Sequence, residues 1–140
     1  MDNCCYNRPF DDQSQRNIRE ETQAILRIQA RIIEGAYDLV WSFVLDYENA
    51  NNLDVEKKMN TASWRGRASR IIRREDVAAL RPFLKALLSR GIKLFDAAHI
   101  SCAIITGCDY FITTDYRLLK APVREIRIVN PIDFVQEQEG

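Results

Sequence analysis

The sequence predicts an α/β domain in which a parallel sheet is covered by helices on both faces. Short runs of β-branched and aromatic residues alternate along the chain with segments whose apolar residues recur at helical spacing. No Asn-Gly hairpin signal joins two neighbouring strands, so parallel pairing through crossover helices is favoured. The 140 residues, 46% of them hydrophobic, are enough for one core. We therefore expect residues 1–140 to form a single domain.

The first half of the chain predicts two helices around one strand. Isoleucines and leucines at helical spacing indicate a long helix over about residues 13–34, and Gly35 follows as a stop signal. The apolar run Tyr37–Trp41 predicts a strand, and Ser42 stands where the N-cap of the next helix is expected. The polar segment 49–70 is expected to be helical in part.

The second half of the chain predicts three strands and three helices. The helix that begins near Val77 should stop at Gly91, and the next one is apolar almost all round and therefore buried. In chain order, the expected elements are a strand at Arg70–Ile72, helices over 77–90 and 96–106, a strand at Tyr110–Thr113, a short helix at 116–120 and a strand at Ile126–Val129.

Composition excludes several classes of protein. The 20 basic and 20 acidic side chains balance, so the surface as a whole does not attract nucleic acid, although a local basic stripe is compatible with this balance. The most apolar stretch, Ala97–Cys108, is shorter than the roughly 20 residues of a membrane span. The first residues carry no apolar signal segment, so we expect a cytoplasmic protein without a membrane anchor. Four cysteines without a metal-binding spacing are expected to be small buried apolar residues.

Acidic residues fall where a parallel α/β sheet places its functional side chains. Asp115 follows the strand at 110–113, Glu48 lies in the helix after the first strand, Asp96 opens the buried helix, and Asp2 starts the chain. Two carboxylates about 4 Å apart repel by roughly 4 kcal/mol at an effective dielectric constant near 20. Such a cluster persists if it takes up protons or binds a cation, and oxygen ligands favour Mg²⁺ or Mn²⁺.

Three of these acids also have a plain structural interpretation. Asp96 and Asp115 are both suited to cap the helices that they open. Glu48 is suited to an exposed helix position. The spacing by itself leaves these alternatives open.

Three motifs in register resemble those of the PIN-domain family. They are Phe95-Asp96-Ala97-Ala98-His99, Cys108–Asp115 with its Thr-Thr-Asp ending, and Asn130-Pro131-Ile132-Asp133-Phe134. The opening Asp2–Asp11 is similar to the family's N-terminal acidic segment, and Ser42–Glu48 is similar to its Ser…Glu helix. The resemblance extends over most of the chain and is weakest over 49–70.

The resemblance implies a three-layer α/β/α, Rossmann-like fold with a central parallel sheet and a VapC-like ribonuclease activity that depends on Mg²⁺ or Mn²⁺. It places the catalytic and metal-binding acids at Asp2, Glu48, Asp96 and Asp115. The substrate would be single-stranded RNA, with Arg65, Arg67 and Arg70 as candidate contacts and Trp64 as a candidate base-stacking residue. Many such proteins are toxins held inactive by an antitoxin protein, so an antitoxin is a candidate partner.

The start of the chain departs from the family pattern. The family's first strand leads into its first Asp, whereas only Met1 precedes Asp2 here. Either the natural start lies further upstream or most of a central strand is absent. An unfilled gap in a central sheet leaves backbone groups unpaired, so we expect a second copy to pair with it in a homodimer. An alternative function, favoured by this start, is a catalytically impaired module that binds nucleic acid or protein.

Overall fold

A computed structural model describes all 140 residues, Met1–Gly140. The four strands are short and each is followed along the chain by a helix or a helical turn. In chain order, the elements are α1 (Asn3–Asn7), α2 (Arg16–Ile33), β1 (Val40–Ser42), α3 (Phe43–Ala50), α4 (Val55–Ser63), β2 (Arg70–Ile72), α5 (Val77–Ser89), α6 (Leu94–Ile105), β3 (Tyr110–Ile112), α7 (Tyr116–Leu119), β4 (Arg127–Val129) and α8 (Pro131–Glu139). The mixed α/β class predicted from the sequence is confirmed.

The strands pair in two separate parallel sheets of two strands each. Strand β1 pairs with β2, with Trp41 opposite Ile71. Strand β3 pairs with β4, with Phe111 opposite Ile128. Parallel pairing agrees with the sequence-based expectation, and the four strands form two pairs.

Strand β3 has helices on both of its faces. Successive side chains of a strand point to opposite faces, and here they enter different clusters of buried residues. Ile112 joins the cluster that contains Ile28 of α2 and Phe134 of α8. Phe111 joins the cluster that contains Leu87 of α5 and Ile100 of α6. Helix α6 also contacts β1, so this one helix extends across both sheets.

The helix boundaries follow local signals with small shifts. Helix α2 lies inside the predicted 13–34, and Gly35 beyond it adopts φ +83°. Helix α5 likewise ends before Gly91, which has φ +85°. Helix α6 begins at Leu94 with Lys93 as its N-cap, two residues earlier than expected. No helix has both the length and the apolar character that crossing a membrane requires.

Candidate functional site

Four acidic side chains from four helices converge at the carboxyl ends of β1 and β3. Asp2 is the N-cap of α1, Glu48 lies in α3, Asp96 lies in the first turn of α6, and Asp115 is the N-cap of α7. Asp2, Glu48 and Asp115 all lie near enough to Asp96 for their negative charge to raise its pKa. We call these four residues the acidic cluster.

Asp2 is the most enclosed member of the acidic cluster, with 7% of its surface exposed. The Thr113 hydroxyl donates to its Oδ2 at 2.8 Å, and the Asn3 backbone N–H donates to its Oδ1 at 2.8 Å. Its own backbone N–H donates to the Ile112 carbonyl at 2.8 Å. The carboxylate of Asp2 is therefore fixed to the end of β3 by both backbone and side chain.

His99 connects two of the acids. It is buried in the second turn of α6, and its Nε2 forms a short hydrogen bond with Oε1 of Glu48. The same nitrogen lies 4.0 Å from Oδ1 of Asp2. The side chain of His99 thus links the acids of α1 and α3, a position that its place in the sequence did not reveal.

The pKa of Asp96 is raised by its surroundings in the acidic cluster. Burial raises the pKa of its carboxyl group, and the negative charges of Asp2, Asp115 and Glu48 raise it further, while His99 acts in the opposite direction. The capping interpretation of Asp96 is wrong, because Lys93 occupies the N-cap position. Asp96 is therefore a carboxylate held near three others in a partly desolvated position.

Asp115 combines the two interpretations proposed for it. Its Oδ1 accepts from the Arg117 backbone N–H at 2.9 Å, which caps α7. The Thr113 hydroxyl, which donates to Asp2, also accepts from the Asp115 backbone N–H at 3.0 Å. Asp115 is therefore both a helix cap and a neighbour of the acidic cluster.

The side chains as placed do not form a ready-made metal site. No group of three or more His, Cys, Asp or Glu side chains has an arrangement that could hold a metal ion. Glu48 is engaged with His99, and an oxygen of each of Asp2 and Asp115 accepts a backbone N–H. The donors match a hard divalent cation in chemical type, whereas their arrangement would have to change to ligate one together.

The arginines predicted as RNA contacts lie in the turn before β2 and at its first residue. Arg70 lies at the amino end of β2, whereas the acidic cluster lies beyond the carboxyl ends of the strands. Arg65 and Arg67 lie in a 3₁₀ turn after α4, where Arg65 Nε is 3.5 Å from Asp46 Oδ2. Trp64 is half-buried against two apolar clusters, so its ring is not a free stacking surface.

Exposed aromatic rings flank the acidic cluster instead. Tyr47 precedes Glu48 and Phe95 precedes Asp96, and their rings stack with centroids 5.5 Å apart and planes 20° from parallel. Both are large and exposed, at 57% and 48% of their surface. The sequence signal was available, because each aromatic residue directly precedes a predicted site acid.

Two cysteines lie beside Asp2. Cys5 is fully buried and its thiol donates to the Ile112 carbonyl, as expected for a cysteine that acts as a small core residue. Cys4 lies 3.6 Å from the Thr113 hydroxyl, and hydrogen bonding from Cys5 lowers the pKa of its thiol. All four cysteines are free thiols.

Comparisons of this chain with protein-family models, with curated proteins and with solved structures found no match. The chemical interpretation of the acidic cluster therefore depends on its own geometry and on the motif resemblance.

Proposed function

We propose that this protein is a divalent-metal-dependent endoribonuclease of the PIN type that cleaves single-stranded RNA by hydrolysis. The observation that carries the proposal is the convergence of Asp2, Glu48, Asp96 and Asp115, which are far apart in sequence and lie close enough to raise the pKa of Asp96. Mutual repulsion of this kind is relieved when a cation binds. The PIN-type central sheet is part of this proposal.

Asp2, Asp96 and Asp115 would hold Mg²⁺ or Mn²⁺, with Glu48 as a further ligand. The cation, when bound, would supply Lewis-acid stabilisation of the phosphodiester and a more acidic water. The chain's own part is to position the carboxylates: Thr113 orients Asp2, the first turn of α6 presents Asp96, and the N-cap of α7 presents Asp115. For Glu48 to bind the cation, its hydrogen bond with His99 would have to break.

The stacked rings of Tyr47 and Phe95 support a nucleic-acid substrate with unpaired bases. Aromatic side chains bind bases of single strands by stacking, largely without regard to sequence. The pair lies one residue from Glu48 and from Asp96, so a base on these rings would bring its phosphate near the carboxylates. An antitoxin that covers this face is the partner expected if the protein is a toxin.

The test is cleavage of a labelled single-stranded RNA with increasing Mn²⁺ or Mg²⁺. We expect cleavage that requires the metal and is abolished by Asp96→Asn, which keeps the shape of the side chain and removes its charge. Asp133→Asn, an exposed acid in the first turn of α8, is the matched control and should cleave like wild type. Metal-independent cleavage, or equal cleavage by Asp96→Asn, would contradict the proposal.

The contacts of His99 favour a second candidate, a binding module without catalysis. His99 forms a hydrogen bond with Glu48 and lies close to Asp2, so its side chain takes the place beside these acids where a cation would bind. No group of three ligands is preformed. A protein of this kind would bind single-stranded RNA equally well with and without metal and would leave it intact. The same RNA assay, read for binding as well as cleavage, separates the two functions.

A further inference from the structure

The exposed aromatic side chains of this protein all lie next to members of the acidic cluster in the sequence. The chain has two Trp, five Tyr and six Phe residues, and of these only Tyr47, Phe95 and Tyr116 are exposed. Tyr47 and Phe95 are the stacked pair described above, which we call the aromatic pair. Tyr116 directly follows Asp115 and has 66% of its surface exposed. Exposed apolar side chains scattered singly need no explanation, whereas rings gathered around one polar site indicate a surface that a ligand covers.

A line of polar contacts crosses the acidic cluster from α3 to α7. Glu48 of α3 is hydrogen-bonded to Nε2 of His99, and the same nitrogen lies 4.0 Å from Oδ1 of Asp2. The Thr113 hydroxyl donates to Oδ2 of Asp2 at 2.8 Å and accepts from the Asp115 backbone N–H at 3.0 Å. Glu48 and Asp115 are therefore the two ends of this line.

The exposed rings lie at both ends of the line of contacts. The aromatic pair includes the residue before Glu48, whereas Tyr116 is the residue after Asp115. Helix α3 contacts α6, and the aromatic pair joins these two helices, while α7 contacts β4. Asp2 lies in the middle of the line, so the carboxylates separate Tyr116 from the aromatic pair.

A single strand of RNA would place bases on both sides of a phosphate held at the acidic cluster. Every internal phosphodiester joins two nucleosides, so one base lies on each side of it. Aromatic rings bind unpaired bases by stacking, largely without regard to sequence. Exposed basic residues lie close to the rings in sequence at both ends, Lys93 near Phe95 and Arg117 after Tyr116, and these suit the neighbouring phosphates.

We propose that Tyr116 is a second base-binding site, so that this protein holds an unpaired base on each side of the phosphodiester at the acidic cluster. One base would stack on the aromatic pair and the other on Tyr116. The substrate class is therefore an internal single-stranded segment or loop, because a base that is paired in a duplex is not free to stack on either ring. A terminal phosphate fills only one of the two base sites and should be a poor substrate. This inference rests on the proposed function, since the acidic cluster defines where the phosphate lies.

The first test measures binding of a labelled oligouridine by fluorescence anisotropy in the Asp96→Asn background. Tyr116→Ala should weaken binding by about 5- to 150-fold, the loss expected for one stacked base. Tyr116→Phe keeps the ring and should bind like the parent, as should Leu88→Ala, which removes an exposed apolar side chain from α5. The losses from Tyr116→Ala and Phe95→Ala should multiply in the double variant, because the two rings hold different bases. A double variant that binds no more weakly than either single variant would overturn the proposal.

The second test assigns the two base sites to the RNA by removing one base at a time. The cleavage position in the oligouridine is mapped with wild type and Mn²⁺, and the nucleotide on either side of it is then replaced by an abasic one. Each replacement should raise KM for the wild type. One of them should have no further effect in Tyr116→Ala, and the other should have none in Phe95→Ala.

The outcomes separate this inference from the proposed function. Binding and cleavage by Tyr116→Ala equal to those of the wild type would overturn the second base site alone, and would leave its ring for a protein partner. Binding that depends on both rings, without any cleavage, would contradict the nuclease and support the two base sites. RNA that the wild type neither binds nor cuts with Mn²⁺ would overturn both the proposed function and this inference.

Discussion

Thr113 is the residue on which the geometry of the acidic cluster depends most directly. Its hydroxyl donates to the buried carboxylate of Asp2 and accepts from the Asp115 backbone, so one side chain positions two of the four acids. Thr113 is fully buried. The strand ends at Ile112, and Thr113, the next residue, reaches Asp2.

Thr113→Val should lower the free energy of unfolding by about 1–3 kcal/mol, because it leaves Oδ2 of the buried Asp2 without its donor while keeping the shape of the Thr113 side chain. Urea denaturation measures the change. In an Asp2→Asn background the same substitution should cost less, since the charge that needs the donor is gone. Equal costs in both backgrounds would contradict the assigned hydrogen bond.

The stacked aromatic pair makes a second prediction for single residues. Tyr47→Ala and Phe95→Ala should each weaken binding of a short single-stranded RNA by about 5- to 150-fold, because stacking contributes about 1–3 kcal/mol per base. Fluorescence anisotropy with a catalytically inactive Asp96→Asn background measures binding without cleavage. Leu53→Ala, which removes another large exposed apolar side chain, is the control and should bind like the parent.

At the scale of elements, α8 is attached to α2 through its N-cap residue. The Asn130 Oδ1 accepts from Ile132 N–H at 2.9 Å, and its Nδ2 donates to Oε2 of Glu21 at 2.7 Å. Glu21 is buried, with Arg8 Nε 3.5 Å from its other oxygen. Asn130 thus satisfies a helix end and a buried carboxylate together.

Asn130→Ala should therefore cost about 2–4 kcal/mol, the sum of a lost cap and a lost hydrogen bond to a buried charge. Asp54→Ala, which removes an ordinary exposed cap from α4, is the matched comparison and should cost about 1 kcal/mol. Chemical denaturation of both variants measures the difference. Equal costs would mean that the contact with Glu21 contributes nothing.

The sequence predicted which helices and strands form better than it predicted where they begin and end. Periodic apolar residues located α2, α5 and α6, and β-branched runs located all four strands. The expected strand at 37–41 is shorter and later, at Val40–Ser42, because only these residues have a partner in β2. Helix α1 was missed, because five residues capped by Asp2 are too short to show a period. Helix α8 at Pro131–Glu139 was missed as well.

The convergence of the four acids was predictable in part. The order of elements indicated that acids after parallel strands lie close together, whereas the full set of four came from the motif resemblance. The hydrogen bond between His99 and Glu48 could not be predicted, since it joins α6 to α3 and depends on a side-chain direction that no local sequence pattern specifies.

At the scale of the whole molecule, acid sensitivity includes a contribution from the ion pair of Arg90 with Glu125. Two hydrogen bonds of 2.8 and 3.0 Å join the guanidinium to the carboxylate and lower the pKa of Glu125 to about 2. A lowered carboxyl pKa stabilises the folded state above the unfolded-state pKa of 4.5, and the contribution is lost as the pH falls towards 2.

Because both side chains of this pair remain about 30% exposed, we expect a contribution no larger than about 1 kcal/mol. Glu125→Gln should lower the free energy of unfolding by this amount at pH 7, and the difference from wild type should shrink between pH 4.5 and 2. Urea denaturation across this pH range measures it. A difference that is constant with pH would contradict the assignment.

The central claim is that the acidic cluster binds a divalent cation that supports RNA cleavage. The most direct test is to measure RNA cleavage by wild type and by Asp115→Asn as Mn²⁺ is titrated. We expect cleavage by wild type to rise from zero to saturation with Mn²⁺ and Asp115→Asn to stay inactive, while the melting temperature of wild type alone rises with the metal. Unchanged melting of wild type with Mn²⁺, together with no cleavage at any concentration, would contradict the claim.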